Sequence, residues 1–110
     1  MRARSAFLSL VWLVLSCSGS SQVGSIGVIA RREEMSGRII VVEVPAGNAG
    51  ALAGLEPGDE VLEVDGEPVS EMGRNDFSRA VRGTPGSRVV LTIRRDGNVQ
   101  RIAVRRMPMR

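Results

Sequence analysis

Glycines at positions 24 and 27 bracket the stretch most able to do chemistry, Gly24-Ser25-Ile26-Gly27-Val28-Ile29. Ile26, Val28 and Ile29 give it a strand-like apolar character. Glycine inside a strand weakens it and marks a bulge or a place where another backbone comes close. A strand that opens on a tight glycine turn leaves several N–H groups pointing outward and unpaired. Such a cluster makes a small concavity for an anion, either a phosphate or the carboxylate at the end of a peptide. The same six residues also fit a bulged edge strand that binds nothing. Catalytic chemistry is excluded more firmly. The chain has no His, so a Ser/His/Asp triad cannot form within it. All fifteen basic residues are arginine, which removes a Ser–Lys dyad as well. Glycine-rich phosphate loops and clusters of metal ligands are absent from the sequence. The expectation is a protein with no catalysis, no cofactor and no metal.

The front of the chain has a different character. Arg2 and Arg4 precede an apolar run from Ala6 to Leu15, and Ser16-Cys17-Ser18-Gly19-Ser20 then turns small and polar. That order is the pattern of a secretory signal peptide. Ten residues rise only about 15 Å as a helix, half of a bilayer core, too short for a permanent span. The single cysteine sits in Val14-Leu15-Ser16-Cys17, which resembles a bacterial lipobox. The resemblance implies cleavage before Cys17 and a lipid on its sulfur. An ordinary signal peptide cut after a small residue such as Ser20 is the alternative. Either reading gives an exported chain without a disulfide. Ser18 after the lipidated Cys resembles outer-membrane sorting. Removing Arg2 and Arg4 leaves thirteen arginines against twelve acids. A near-neutral domain without aromatics interleaved among its arginines is a poor nucleic-acid binder.

The elements that must position the glycine stretch follow in order. Residues 1–16 read as signal peptide and 17–23 as a short Ser-rich tether. The glycine-hinged strand runs to about Arg31. Arg38–Val44 reads as the strongest strand, its Ile39-Ile40-Val41-Val42 run apolar on both faces and so central and buried. Asn48 is placed to cap a short helix, Ala49–Ala53, closed by Gly54. Val61, Leu62 and Val64 make the next strand, with Asp65-Gly66 a hairpin turn. Arg74–Arg82 reads as a second helix stopped by Gly83, with Phe77, Ala80 and Val81 on one face. Val89–Ile93 and Val99–Val104 form a hairpin across Asp96-Gly97, and 106–110 is a loose tail. With Phe77 the one aromatic after the leader, the core is aliphatic.

The run Gly54-Leu55-Glu56-Pro57-Gly58-Asp59-Glu60-Val61-Leu62-Glu63-Val64-Asp65-Gly66-Glu67-Pro68-Val69 resembles a PDZ domain. The likeness is to the bacterial form found in carboxyl-terminal processing and Deg-type periplasmic proteases, and it extends over residues 24–105. It implies an α+β fold, a small, partly open antiparallel β-barrel or sandwich of five or six strands capped by two short helices. Within that motif Asp59 and Asp65 are turn and cap residues rather than general acids. The resemblance also implies a site. Ile26, Gly27 and Val28 would hold a peptide's terminal carboxylate through their N–H groups, in a loop that begins at Ser25. Ile26 and Val28 would line the pocket for the last side chain. The strand Val28-Ile29-Ala30 would pair with the peptide main chain. On the second helix Arg74, Ser78 and Val81 would face the groove, with Phe77 and Ala80 in the core. Implied partners are C-termini or extended segments of envelope proteins, a protease to which they would be presented, and the membrane through Cys17. A structural part of an envelope or secretion assembly, and a fragment of a protease lacking its catalytic domain, are the other readings. Localisation would be the periplasmic face of a membrane, or otherwise periplasmic or secreted.

Overall fold

The computed structural model describes residues 24–73 and 75–108. Residues 1–23, on which the expected signal peptide, tether and Cys17 fall, and Arg74 lie outside the described residues. Eight strands, two short α-helices and one 3-10 turn succeed one another along the described chain. They are β1 (Gly24–Ser25), β2 (Ile29–Arg32), β3 (Ile39–Glu43), α1 (Ala49–Ala53), β4 (Glu60–Val64), β5 (Glu67–Pro68), the 3-10 turn Val69–Glu71, α2 (Asp76–Val81), β6 (Arg88–Arg95), β7 (Asn98–Arg105) and β8 (Met107–Pro108). All pairings are antiparallel. The main sheet runs β2-β3-β4-β6-β7, with β5 beside β4, and does not close; β1 and β8 form a separate pair.

Local chemistry accounts for the sharp turns. Asp65 and Gly66 join β4 to β5 with φ of 50° and 84°, and Asp96 and Gly97 join β6 to β7 with 50° and 80°. Both central residues of such a turn lie in the left-handed region, where Asp and Gly are the economical choices. The β6–β7 hairpin is consequently long and regular, eight residues paired against eight. Its inward side chains Val89, Leu91, Ile93 and Val104 form the floor of the core, which Ile26, Val41, Val61, Val64 and Val81 complete.

Five expectations need correction. The glycine stretch is not one strand: β1 ends at Ser25, β2 starts at Ile29, and 26–28 is irregular because Gly27 turns through φ 64°. β3 is internal to the sheet but buried on one face only: Ile39 and Val41 are in the core while Val42 is 48% exposed. Asn48 makes no side-chain cap bond to α1. The second helix is shorter than Arg74–Arg82, covering Asp76–Val81. Finally, Met107 and Pro108 are not loose: they pair with Ser25 and Gly24.

Candidate functional site

The loop 26–28 is shaped by what its carbonyls do. The Ile26 carbonyl accepts the Gly50 N–H at 2.7 Å, and the Gly27 carbonyl accepts the Asn48 side-chain amide at 3.4 Å. Asn48 therefore serves the loop rather than the helix. With these carbonyls tied back to α1 and the residue before it, the N–H groups of Gly27 and Val28, opposite them in their trans peptide planes, point to the other side. Among the described residues, the Ile26, Gly27 and Val28 N–H groups donate to no turn, loop or side-chain acceptor. Two glycines permit this. A Cβ on Gly27 would meet the Asn48 Cβ at 2.7 Å in a backbone conformation that side chains rarely adopt, and one on Gly50 would collide with Val28. Outward amides in succession are the anion-binding arrangement.

A cleft of about 250 Å³ opens beside this loop. Ser25, Ile26, Val28 and Ala30 line one wall; Phe77, Ser78, Val81 and Arg82 of α2 and its end line the other. β2 is the outermost strand of the main sheet, paired on one side by β3 alone. Its other edge faces the cleft as a row of backbone donors and acceptors, which is a template for another extended chain.

Both walls are fixed from a distance in sequence. Gly24 and Gly83 exchange two backbone hydrogen bonds, N–H to carbonyl at 2.6 and 3.0 Å, which joins the start of the loop to the end of α2. Arg106 holds the same helix end. Its guanidinium donates to the Val81 carbonyl at 3.0 Å, the Ala80 carbonyl at 3.3 Å and the Ser87 hydroxyl at 2.9 Å. The last carbonyls of a helix have no partner within it, and a cation there satisfies them.

The aspartate of the Glu56-Pro57-Gly58-Asp59 turn is structural. Asp59 is 1% exposed. It accepts two hydrogen bonds from Arg95, at 2.8 and 2.7 Å, and one from the Glu56 N–H at 2.8 Å. Arg95 also donates to the Gly54 carbonyl at 2.9 Å, which knots the end of α1 to β6. Burial pushes the Asp59 carboxyl up, but the Arg95 guanidinium and the Glu56 amide outweigh it and hold the group below the usual carboxylate range. Asp59 faces no cleft.

Of the residues expected at the site, Ser25, Ile26, Val28, Ala30, Ser78 and Val81 are brought together around the cleft. Gly27, which has no side chain to line the cleft, borders a neighbouring concavity with Ser25, Asn48 and Met107. Ile29 is 53% exposed at the start of β2 and lies off the cleft. Arg74 lies outside the described residues. Phe77, expected in the core, packs against it and lines the cleft as well. Arg82, the last residue of the expected second helix, was not among the residues expected at the site, and it lines the cleft. Among the described residues no group of three or more acidic or Cys side chains could hold a metal, and no helix is long and apolar enough to cross a membrane.

Comparison with known proteins places this arrangement. The family model described as a PDZ domain matches residues 40–95. The carboxy-terminal processing protease CtpA of Bacillus subtilis is 34% identical over 71 residues, which is 64% of this chain and 15% of that protein. The regulator of sigma-E protease RseP of Salmonella typhimurium is 34% identical over 76 residues, 69% of this chain and 16% of that one. The chain thus spans about a sixth of the length of these curated relatives. Among solved structures, the PDZ domain of the carboxy-terminal protease from Vibrio cholerae, in complex with a peptide, superposes with a TM-score of 0.68 at 23% identity, covering 81% of this chain and 98% of that one. The photosystem II D1 C-terminal processing protease gives a TM-score of 0.72 at 24% identity, covering 84% of this chain and 25% of that one.

Proposed function

This chain belongs to the PDZ domain family, and from that premise we propose that it is a non-catalytic module binding C-terminal or extended segments of exported proteins by strand addition. The observation that carries the reading is the junction of loop and edge. Outward amides at 26–28 run directly into the unpaired edge of β2, with α2 forming the opposite wall. A peptide laid antiparallel to β2 would place its last carboxylate at the loop and its last side chain between Ile26, Val28 and Val81. Ser78 leaves that pocket wide. Affinity of about −6 to −8 kcal/mol, in the micromolar range, is ordinary for a short extended peptide. The similar PDZ domain solved with a peptide bound supports the same reading by analogy.

The relatives that share this domain are proteases, and the likeness falls on a small share of each. A module that captures chain ends and presents them to a protease fits that company. The sequence around Cys17 adds a place of action. Cleavage before Cys17 and lipidation of its sulfur would hold the domain on a membrane, facing the periplasm, at the end of a tether of about six residues. Incorporation of radiolabelled palmitate that is lost in Cys17→Ser tests the anchor separately from the groove. For the groove, the purified chain is titrated with fluorescent C-terminal peptides as free acids and as amides. Micromolar binding of some acids, with their amides silent, is the expected outcome. No binding by any acid would move the protein to the class of fixed assembly components.

A further inference from the structure

The cleft has one charged residue among its described lining, and it lies at the end where the loop begins. We propose that Arg82 is the cationic partner of the ligand's terminal carboxylate, acting with the amides of residues 26–28. The inference rests on the peptide-binding reading above and adds to it how the chain end is recognised.

Three observations point to Arg82. First, it lines the cleft from the α2 side together with Ser25 and Ile26 from the loop side. Second, its backbone is fixed against the loop. Gly83, the next residue, exchanges hydrogen bonds with Gly24 at 2.6 and 3.0 Å, immediately before Ser25. That approach needs glycine on one side, since a Cβ on Gly24 would lie 2.9 Å from the Pro85 Cα. Arg82 has already left the helix, with φ −89° and ψ 155°, so it is carried by this bridge and not by a fraying last turn. Third, its charge is available. Among the described residues Arg38, Arg79, Arg94 and Arg95 are in ion pairs with carboxylates, and Arg106 is spent on carbonyls and a hydroxyl. Arg82 is exposed and has neither kind of partner among them. Arg31, Arg32, Arg88, Arg101 and Arg105 also lack carboxylate partners among the described residues, but none of them lines this cleft.

The chemistry is that of a planar, permanently charged fork beside a carboxylate, whose charge-assisted hydrogen bonds are shorter and stronger than neutral ones. Loop amides alone would read a carboxylate and tolerate an amide, because both offer an acceptor oxygen. A guanidinium at the same point favours the charged group over the neutral one.

The test uses the full chain purified in mild detergent and fluorescein-labelled ten-residue peptides ending in Ala, Val, Leu or Phe, each as free acid and as amide. Wild type, Arg82→Gln, Arg82→Lys and Arg101→Gln are compared by anisotropy at 50 and 500 mM NaCl. Arg82→Gln is expected to weaken acid binding about tenfold at low salt, narrowing the gap between acids and amides, and to flatten the salt dependence. Arg82→Lys should recover part of the loss, and Arg101→Gln, which alters the net charge equally but far from the cleft, should bind as wild type. If wild type prefers acids but Arg82→Gln keeps the full preference, the role of Arg82 is overturned and the loop reading survives. Equal losses in Arg82→Gln and Arg101→Gln would overturn it too, by showing a general charge effect. If no acid binds wild type, the peptide-binding reading itself fails and this inference with it.

Discussion

Replacing Asp59 by Ala tests whether the acidic turn is scaffold or site. The carboxylate is 1% exposed and accepts hydrogen bonds from two Arg95 nitrogens and the Glu56 amide, all between 2.7 and 2.8 Å. Removing one partner of a buried pair leaves the rest without compensation and costs about 3–5 kcal/mol. A domain of this size has about 4–13 kcal/mol in all, at about 0.05–0.15 per residue, so the variant should lose a large share of its stability. The melting temperature is expected to fall by about 15 °C or more. Urea unfolding followed by circular dichroism gives the free energy directly. Asp59→Ala combined with Arg95→Met should cost no more than Asp59→Ala alone, since the two side chains act as one unit. Acid should reveal the same bond. The native carboxyl titrates below its ordinary value of 3.8, so the unfolded chain takes up the proton first as pH falls. Stability is therefore fully present above the unfolded value and drains away as pH drops through the native one; in Asp59→Ala that part of the acid slope is missing. A variant less than 1 kcal/mol weaker, yet unable to bind peptide, would refute the structural reading and place Asp59 at the ligand.

Two further substitutions separate the loop from its supports. Gly27→Val puts a branched side chain at φ 64° with its Cβ 2.7 Å from that of Asn48, which should abolish acid-peptide binding in the anisotropy titration. The left-handed conformation alone costs about 1–2 kcal/mol, so the domain should stay folded by circular dichroism while the loop is displaced. Arg106→Met removes the donors to the Val81 and Ala80 carbonyls, and should destabilise the domain by about 2 kcal/mol. Hydrogen exchange should quicken in α2 before it quickens in the β6–β7 hairpin; uniform acceleration would mean that Arg106 does not act on the helix end.

Features set by local chemistry were legible in the sequence. Ala49–Ala53 forms the expected helix with Gly54 at φ 97° closing it, and both Asp-Gly pairs make the expected hairpin turns. The PDZ-like fold follows from the long motif between Gly54 and Val69, and six of the nine residues expected at the groove surround the cleft. What was not legible depends on partners far along the chain. Asn48 has the right type for a helix cap and stands at that position, but its side chain is turned to donate to the Gly27 carbonyl 21 residues away. Phe77 satisfies a helical core pattern and a groove wall together, packing against the core while it lines the cleft from a helix of only six residues. Arg82, Arg95 and Arg106 look alike in sequence. Their distinct roles come from an open cleft, a buried carboxylate and a ring of helix-end carbonyls, none of which leaves a local pattern.

The segment most easily dismissed on the sequence turns out to join the two halves of the site. Residues 106–110 read as a loose tail. Yet the backbone of Arg106 is bound on both sides, its N–H to the Ser87 carbonyl at 2.8 Å and its carbonyl to the Gly86 N–H at 2.9 Å. Its side chain holds α2, one wall of the cleft, while the next two residues pair with Gly24 and Ser25, the root of the other. A short strand of two residues contributes little burial, so its hydrogen bonds are worth having chiefly because they are made at this place. Loop 26–28 is held by the Ile26 side chain in the core, one glycine at positive φ and two tied-back carbonyls. Anchoring its preceding residues to β8 on one side and to Gly83 on the other restricts the entropy that the loop would otherwise lose on gripping a ligand. The geometry of the cleft is thus set by contacts among its two ends and the chain's last described strand, more than by the residues that line it.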